Sequence, residues 1–332
     1  REVGAQGALF QPIKSMRREV GTLEDLLTPS RTKTHLMLTK DKADKLIEIF
    51  IAVDDFCQAF DQWLEAYAND DFPRPRFEGV MHVSEILTII IFYQYSGYKC
   101  FQYYFEQQVQ HELKIYFPRQ VGYKRFLQLI SKSVPHLYIF VKWQGMFAEA
   151  TGIYFIDSKK LPVCHNRRIH NHQVFKDLAA RGRTSTGWFF GLKLHLVINH
   201  LGQLMNFAFT PGNVSDSNPD VLRHVLFKLK GNCFGDKGYL SKIFTELYAQ
   251  GLKLVTKIRK NMKNKLMPLK EKYHLFKRAV IESVFDILMT VFDIDHTRHR
   301  SPQNAMAHML GALAAYSFMD QKPAVLLPKL LG

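Results

Sequence analysis

Three carboxylates, Asp157, Asp236 and Glu282, carry the most chemistry in this sequence. Tyr154-Phe155-Ile156-Asp157 is an apolar, aromatic run that ends in an acid, and Asn232-Cys233-Phe234-Gly235-Asp236 repeats the pattern. Each is followed closely by a basic residue, Lys159 or Lys237. Taking an unpaired carboxylate out of water is costly, so an acid at the end of a buried strand asks for a compensating cation. Glu282 lies in a predicted helix whose Val280, Ile281, Val284, Phe285 and Leu288 make an apolar face, so it is either a solvated edge residue or a ligand turned inward. Asp286, one turn further on, competes with it for the third place. An all-oxygen set of this kind suits Mg²⁺ or Mn²⁺. Two such ions ~3.5–4 Å apart activate an attacking oxygen and stabilise a leaving one in phosphoryl displacement, and no protein nucleophile is needed.

The charge distribution names the class of partner. The 332 residues carry a net charge of +15. Residues 1–150 hold 18 Lys/Arg against 18 Asp/Glu, whereas residues 151–332 hold 27 against 12. An excess confined to the half with the three acids fits a polyanion, most simply nucleic acid. The stretch Lys257–Arg278 alone holds nine Lys/Arg against one acid, either as a DNA grip beside the acids or as a solvated charge run. Arg298 and Arg300 form a smaller basic group. Cys164-His165 with His170 and His172 lacks the second cysteine pair of a zinc finger, and the four dispersed cysteines fit a reducing cytoplasm. No run reaches the roughly 18 apolar residues of a membrane span. The first thirty residues lack a signal-peptide core. The chain begins at Arg1, and Met37 is a candidate natural start.

Periodicity gives the helices and strands around these acids. Residues 1–38 are polar, Gly/Pro-punctuated and expected to be poorly ordered. From Thr39, a predicted N-cap, to about Tyr67 the apolar residues recur every three or four positions. Further helices are predicted over Val83–Tyr95, Phe101–Leu113, Tyr123–Ser133 and His136–Glu149, the last two separated at Pro135. Residues 39–150 thus read as an all-helical domain, for DNA binding or for packing and dimerisation. At Gly152 the pattern becomes that of strands. Trp188–Ile198 alternates, with Leu192, Leu194, Leu196 and Ile198 on one face and Lys193, His195 and Val197 on the other. Leu204–Thr210 returns as its hairpin partner. A helix capped by Ser215 or Asp216 runs to about Leu229, and a strand over Asn232–Asp236 follows. Then come a helix over Lys242–Gln250, a strand over Lys253–Ile258, and helices over Lys272–Phe292 and Pro302–Met319. That order gives an α/β fold, a mixed sheet covered by helices, at 151–320, with a tail at 321–332.

The stretches FIDSKKLPVCHNRRIHNHQVFK, RGRTSTGWFFGLKLHLVIN, TPGNVSD, FGDKGY, KNMKN, RAVIESVFDIL and HTRHRSPQN occur in this order. Together they resemble the DDE-type insertion-sequence transposases, most closely the insertion-sequence-982 family. The resemblance implies an RNase H-like catalytic domain preceded by the all-helical one. It also implies DNA cleavage and strand transfer, and two Mg²⁺ (or Mn²⁺) ions held by Asp157 on the first strand, Asp236 on the fourth and Glu282 on a helix. Gly191-Leu192-Lys193-Leu194-His195 matches a G-x-K-x-H stretch, with Lys193 and His195 as active-site support. Asp216 also matches, and its expected job is the helix cap. Arg278 corresponds to the family arginine, four residues before Glu282, while Leu275 and Met289 replace the Tyr and Lys of related enzymes. The residues expected to contact DNA are Arg167, Arg168, Arg181, Arg183, Lys237, Lys257, Arg259, Lys260, Arg278, Arg298 and Arg300. A homodimer or larger assembly on double-stranded DNA, in the bacterial cytoplasm beside the nucleoid, completes the expectation. A nuclease of the same fold, or a transposase-derived DNA-binding protein without catalysis, is the alternative.

Overall fold

The computed structural model describes residues 38–67, 79–184, 187–239, 243–256, 267–296 and 299–326. The stretch expected to be poorly ordered therefore lies, Leu38 apart, outside the described residues. Helix α1 (Lys40–Tyr67) buries Leu46, Ile49, Val53, Phe56 and Cys57 along one stripe. Helix α2 (Val83–Ser96) is apolar nearly all round and sits among its neighbours as a central core element. Its first turn is closed reciprocally. The Ser84 N–H donates to His82 Nδ1 at 3.3 Å, and the His82 N–H donates to Glu85 Oε2 at 2.7 Å.

Three of the helices predicted before the sheet differ from the sequence expectation. In place of one helix over Phe101–Leu113, a short α3 (Phe101–Tyr104) passes into a π turn (Phe105–Val109) and a 3₁₀ turn (Glu112–Ile115). Adjacent Tyr104 and Phe105 are both buried, and Phe105 meets Phe126 with ring centres 4.7 Å apart. Tertiary packing of rings overrides the local period here. Conversely, α4 (Tyr123–Met146) runs straight through Pro135. An interior proline forfeits a hydrogen bond and costs about 3 kcal/mol. The burial of Phe126, Leu129, Ile130, Leu137, Phe140 and Val141 on the same helix outweighs it, at roughly 1.5–3 kcal/mol per large side chain.

The sheet is built from β1 (Ile153–Cys164), β2 (Ala180–Thr184), β3 (Gly187–Asn199), β4 (Leu204–Pro211), β5 (Gly231–Gly235) and β6 (Leu252–Thr256). Helix α5 (Pro219–Val225) lies between β4 and β5 in sequence, and α6 (Phe244–Ala249) between β5 and β6. Helices α7 (Leu269–Lys277), α8 (Val280–Thr290) and α9 (Pro302–Ser317) follow. The strand order is β2-β3-β1-β5-β6, with β4 also paired to β3. Strands β1, β3 and β4 are antiparallel, whereas β5 runs parallel to both β1 and β6. The described residues form a mixed α/β structure with a helical N-terminal region.

Several boundaries move. β1 does not stop at Asp157 but continues to Cys164, because β3 keeps pairing with it after β5 has left. β2, a polar Ala-Arg-Gly-Arg-Thr segment without alternation, is an unexpected strand supported by its register with Gly187–Gly191. The cap of α5 is Asn218, whose Oδ1 accepts from the Asp220 and Val221 N–H groups, and neither Ser215 nor Asp216. That helix ends at Val225, short of Leu229. The single helix expected over Lys272–Phe292 is broken at Arg278–Ala279 into α7 and α8. Lys253 on β6 pairs with Glu271 on α7.

One sheet face packs on α5 and α6 through Tyr154, Ile156, Val197, Leu222, Leu247 and Leu254. The other face contributes Phe155, Leu161, Leu194, Leu196 and Phe234 to a core that also contains α2, α4, α8 and α9. The helical segment and the sheet thus share one apolar core. Gly145 of α4 marks how close they come, since an added Cβ would lie 2.5 Å from the Met205 carbonyl oxygen of β4.

Candidate active site

Asp157 and Asp236 are brought together by strand register. Phe155 of β1 stands beside Phe234 of β5, so two residues further along each chain the two acids emerge next to each other. There β5 ends and β1 continues, which opens the sheet on one side of Asp157. Strand alternation puts Asp157 on the face that packs against α8, with Lys159 two residues on. The Lys159 Nζ lies 6.0 Å from the ring centre of Phe285 on α8.

Glu282 is in the first turn of α8, and its side chain is 59 % exposed. Arg278, in the break before that helix, joins it to Asp157. Arg278 Nη1 donates to Asp157 Oδ2 at 3.0 Å, and Nη2 stands 3.6 Å from Glu282 Oε1. One guanidinium therefore bridges two of the three expected carboxylates. The expectation that Arg278 shares a continuous helix face with Glu282 is corrected: the break turns it toward β1 while the 3.6 Å pairing is retained.

Asp157 is 24 % exposed at its side chain, and its Oδ1 accepts from the Ser158 N–H at 2.8 Å. Burial pushes its carboxyl up to about 6. The Ser158 N–H and Arg278 pull it down, while Asp216 and Asp236 push it further up. Two causes thus raise it, desolvation and neighbouring negative charge. Site carboxyls poised near neutrality are frequent at functional positions.

Asp216 is the residue whose role the sequence reading missed. Freed from capping α5, its Oδ1 accepts from Ser158 Oγ at 2.8 Å and from Lys193 Nζ at 3.1 Å. Lys193 also donates to the Val214 carbonyl at 2.9 Å. A Cβ added at Gly238, two residues past Asp236, would lie 4.0 Å from Asp216 Oδ2. Asp216 thus stands between the chain just after Asp157 and the chain just after Asp236. The signal was available in Asn218-Pro219, because proline at the first helical position points to the residue before it as the cap.

Lys193 and His195 lie on the face of β3 opposite Leu194 and Leu196, both buried. Lys193 reaches the site through Asp216 and Ser158. His195 Nε2 is 2.9 Å from Thr210 Oγ1, and its imidazole is pushed down to about 4 by burial, with Asp216 opposing and Lys193 adding to the shift. It is neutral at physiological pH.

Of the residues expected to touch DNA, Lys237 is exposed directly after Asp236, and Arg300 is exposed beyond α8. Arg167, Arg168, Arg181 and Arg183 are exposed at the far end of the sheet. Lys257, Arg259, Lys260 and Arg298 lie outside the described residues. Asp286, the rival acid, is exposed on α8, and its carbonyl accepts from Thr290 Oγ1 at 2.6 Å.

Among the described residues no three of His, Cys, Asp and Glu are close enough to hold one metal ion. The donors Asp157, Asp236 and Glu282 nevertheless fit a hard divalent cation in kind, being all carboxylate oxygen. Arg278 shows that two of them already converge on a positive charge.

Residues 147–302 match the family described as Transposase DDE domain. The match supports a DDE-type transposase and an RNase H-like fold, and it spans all three acids. No curated protein matches the chain.

Proposed function

We propose that this chain is a DNA transposase of the insertion-sequence-982 kind, cutting element ends and joining them to target DNA. The observation that carries the reading is the convergence of Asp157 and Glu282 on one cation, with Asp236 delivered beside Asp157 by strand register. Asp157, Asp236 and Glu282 would hold two Mg²⁺ or Mn²⁺ ions. Such ions supply an activated attacking oxygen and charge stabilisation for the leaving 3′ oxygen. The chain's own residues do the rest. Arg278 holds the Asp157 and Glu282 carboxylates together, and its guanidinium would be free to pair with a phosphate if those carboxylates held a metal. Exposed Lys237 neutralises the backbone next to Asp236. Asp216, held by Lys193, fixes Ser158 and thereby the direction of its neighbour Asp157. Water attacks the phosphorus at the element end and displaces the 3′ oxygen, leaving an element 3′-hydroxyl and a flanking 5′-phosphate. That 3′-hydroxyl then attacks a target phosphodiester, displaces the target's own 3′ oxygen as a hydroxyl and joins element to target.

On this reading residues 39–150 serve DNA binding or assembly, residues 151–320 carry the chemistry, and two or more copies hold both element ends in the cytoplasm beside the nucleoid. The test is a Mg²⁺- or Mn²⁺-dependent cleavage and strand-transfer assay on the DNA that flanks the coding sequence. Wild type is expected to give joined product, and Asp157→Asn is expected to lose at least a thousandfold of both steps. Cleavage without joining would assign a nuclease. DNA binding with no metal-dependent cleavage above Asp157→Asn would assign a binding protein.

A further inference from the structure

The sheet end remote from Asp157 carries four exposed arginines and an exposed tryptophan. Arg181 and Arg183 are on β2, and Arg167 and Arg168 are in the 3₁₀ turn Asn166–Asn171. Asn166 Nδ2 donates to the Trp188 carbonyl at 2.9 Å, which ties that turn to β3. Arg183 is the register partner of Trp188, and its guanidinium lies 5.7 Å from the indole centre. Trp188 is 61 % exposed. One exposed aromatic residue is ordinary on a protein surface. Its setting is not ordinary: from Arg167 to Arg183 the only acid is Asp177, and among the described residues no acid pairs with any of the four arginines. The guanidinium on the indole pre-orders both groups in a way that suits a polyanion with flat, stackable bases.

The cluster is on the reacting side of the sheet. Trp188 and Leu196 lie on the same face of β3, and Leu196 is the register partner of Asp157. At ~3.3 Å per residue, Trp188 stands about 26 Å along the sheet from the acids. It is too far to touch a reacting phosphate and near enough to hold the same duplex.

We propose that Arg167, Arg168, Arg181, Arg183 and Trp188 form a second DNA-contact site that grips duplex DNA flanking the bond that reacts. The arginines take phosphates, and the indole of Trp188 enters the groove against the bases. This deepens the transposase reading by assigning where the substrate is held, and it rests on that reading for the reacting bond alone.

The test uses the full chain and a fluorescein-labelled 40-base-pair duplex of arbitrary sequence. Trp188→Ala is expected to weaken binding about tenfold, within the range for loss of an aromatic–base contact. Arg181→Gln/Arg183→Gln is expected to flatten the dependence of log K on log salt by roughly two, about 0.9 for each lost phosphate contact. Tryptophan fluorescence should be quenched by the duplex in wild type and much less in Trp188→Phe. Where cleavage is measurable, Trp188→Ala should raise KM for DNA about tenfold and leave kcat within twofold. Unchanged affinity, salt slope and quenching in these variants would overturn the site, even with cleavage intact. Binding and quenching that depend on these residues, in a protein that never cuts DNA, would uphold the site and defeat the transposase reading instead.

Discussion

Asp157 is half-buried near two other carboxylates, and its titration couples the site to stability. Its folded pKa, about 6, lies above the ordinary carboxylate value of 3.8. Between those values the folded chain holds a proton that the unfolded chain has lost, so stability falls as pH rises through this window. That displacement, from 3.8 to about 6, is worth about 3 kcal/mol against the folded state. Asp157→Asn removes that cost, and because the value of about 6 already includes the pull of Arg278, the gain at pH 7.5 should be about 3 kcal/mol. In metal-free buffer the variant should melt above wild type at pH 7.5, and the difference should vanish below pH 4. A difference independent of pH would contradict this origin. Added Mg²⁺ should stabilise wild type and not the variant, because only a state with intact ligands gains by binding.

At the scale of elements, the antiparallel pairing of β1 and β3 fixes the frame on which the acids are hung. Gly191 sits where β2 and β4 both meet β3, and a Cβ there would run into the Leu161 carbonyl oxygen and the Pro162 Cα of β1. Gly191→Ala must therefore push β3 off β1. We expect a loss of about 3 kcal/mol or more in chemical denaturation, with soluble expression falling accordingly. A variant as stable as wild type would show that β1 and β3 are not held at this distance. The break between α7 and α8 belongs to the same scale. It carries no proline or glycine, so local propensity could not announce it, and yet it delivers Arg278 to Asp157. The two strand patterns leading to Asp157 and Asp236 were readable because apolar residues in β1 and β5 are bounded by polar ones. The continuation of β1 beyond Asp157 was not, because it depends on β3.

For the whole molecule, the shared core makes the helical segment a structural part of the unit that carries the sheet. Helix α9 is buried over Met309–Tyr316 and packs between α2 and α4 as well as behind the sheet. A fragment of residues 147–326 would expose that face to water, so it should fail to fold. Circular dichroism and a cooperative melt check this, and a fragment that melts cooperatively near the full chain's temperature would refute it. Helix-then-sheet order, the face pattern of β3, the three candidate acids and the basic bias of the second half are legible in the residues alone. These follow from period, composition and residue chemistry, which are local quantities. Only the folded chain shows that Pro135 is carried inside one helix, that Asp216 faces Ser158 and Lys193, that Arg278 bridges Asp157 and Glu282, and that Arg183 lies over Trp188. Each of these depends on contacts between residues distant in the chain, whose packing energy exceeds the local preferences that the sequence displays.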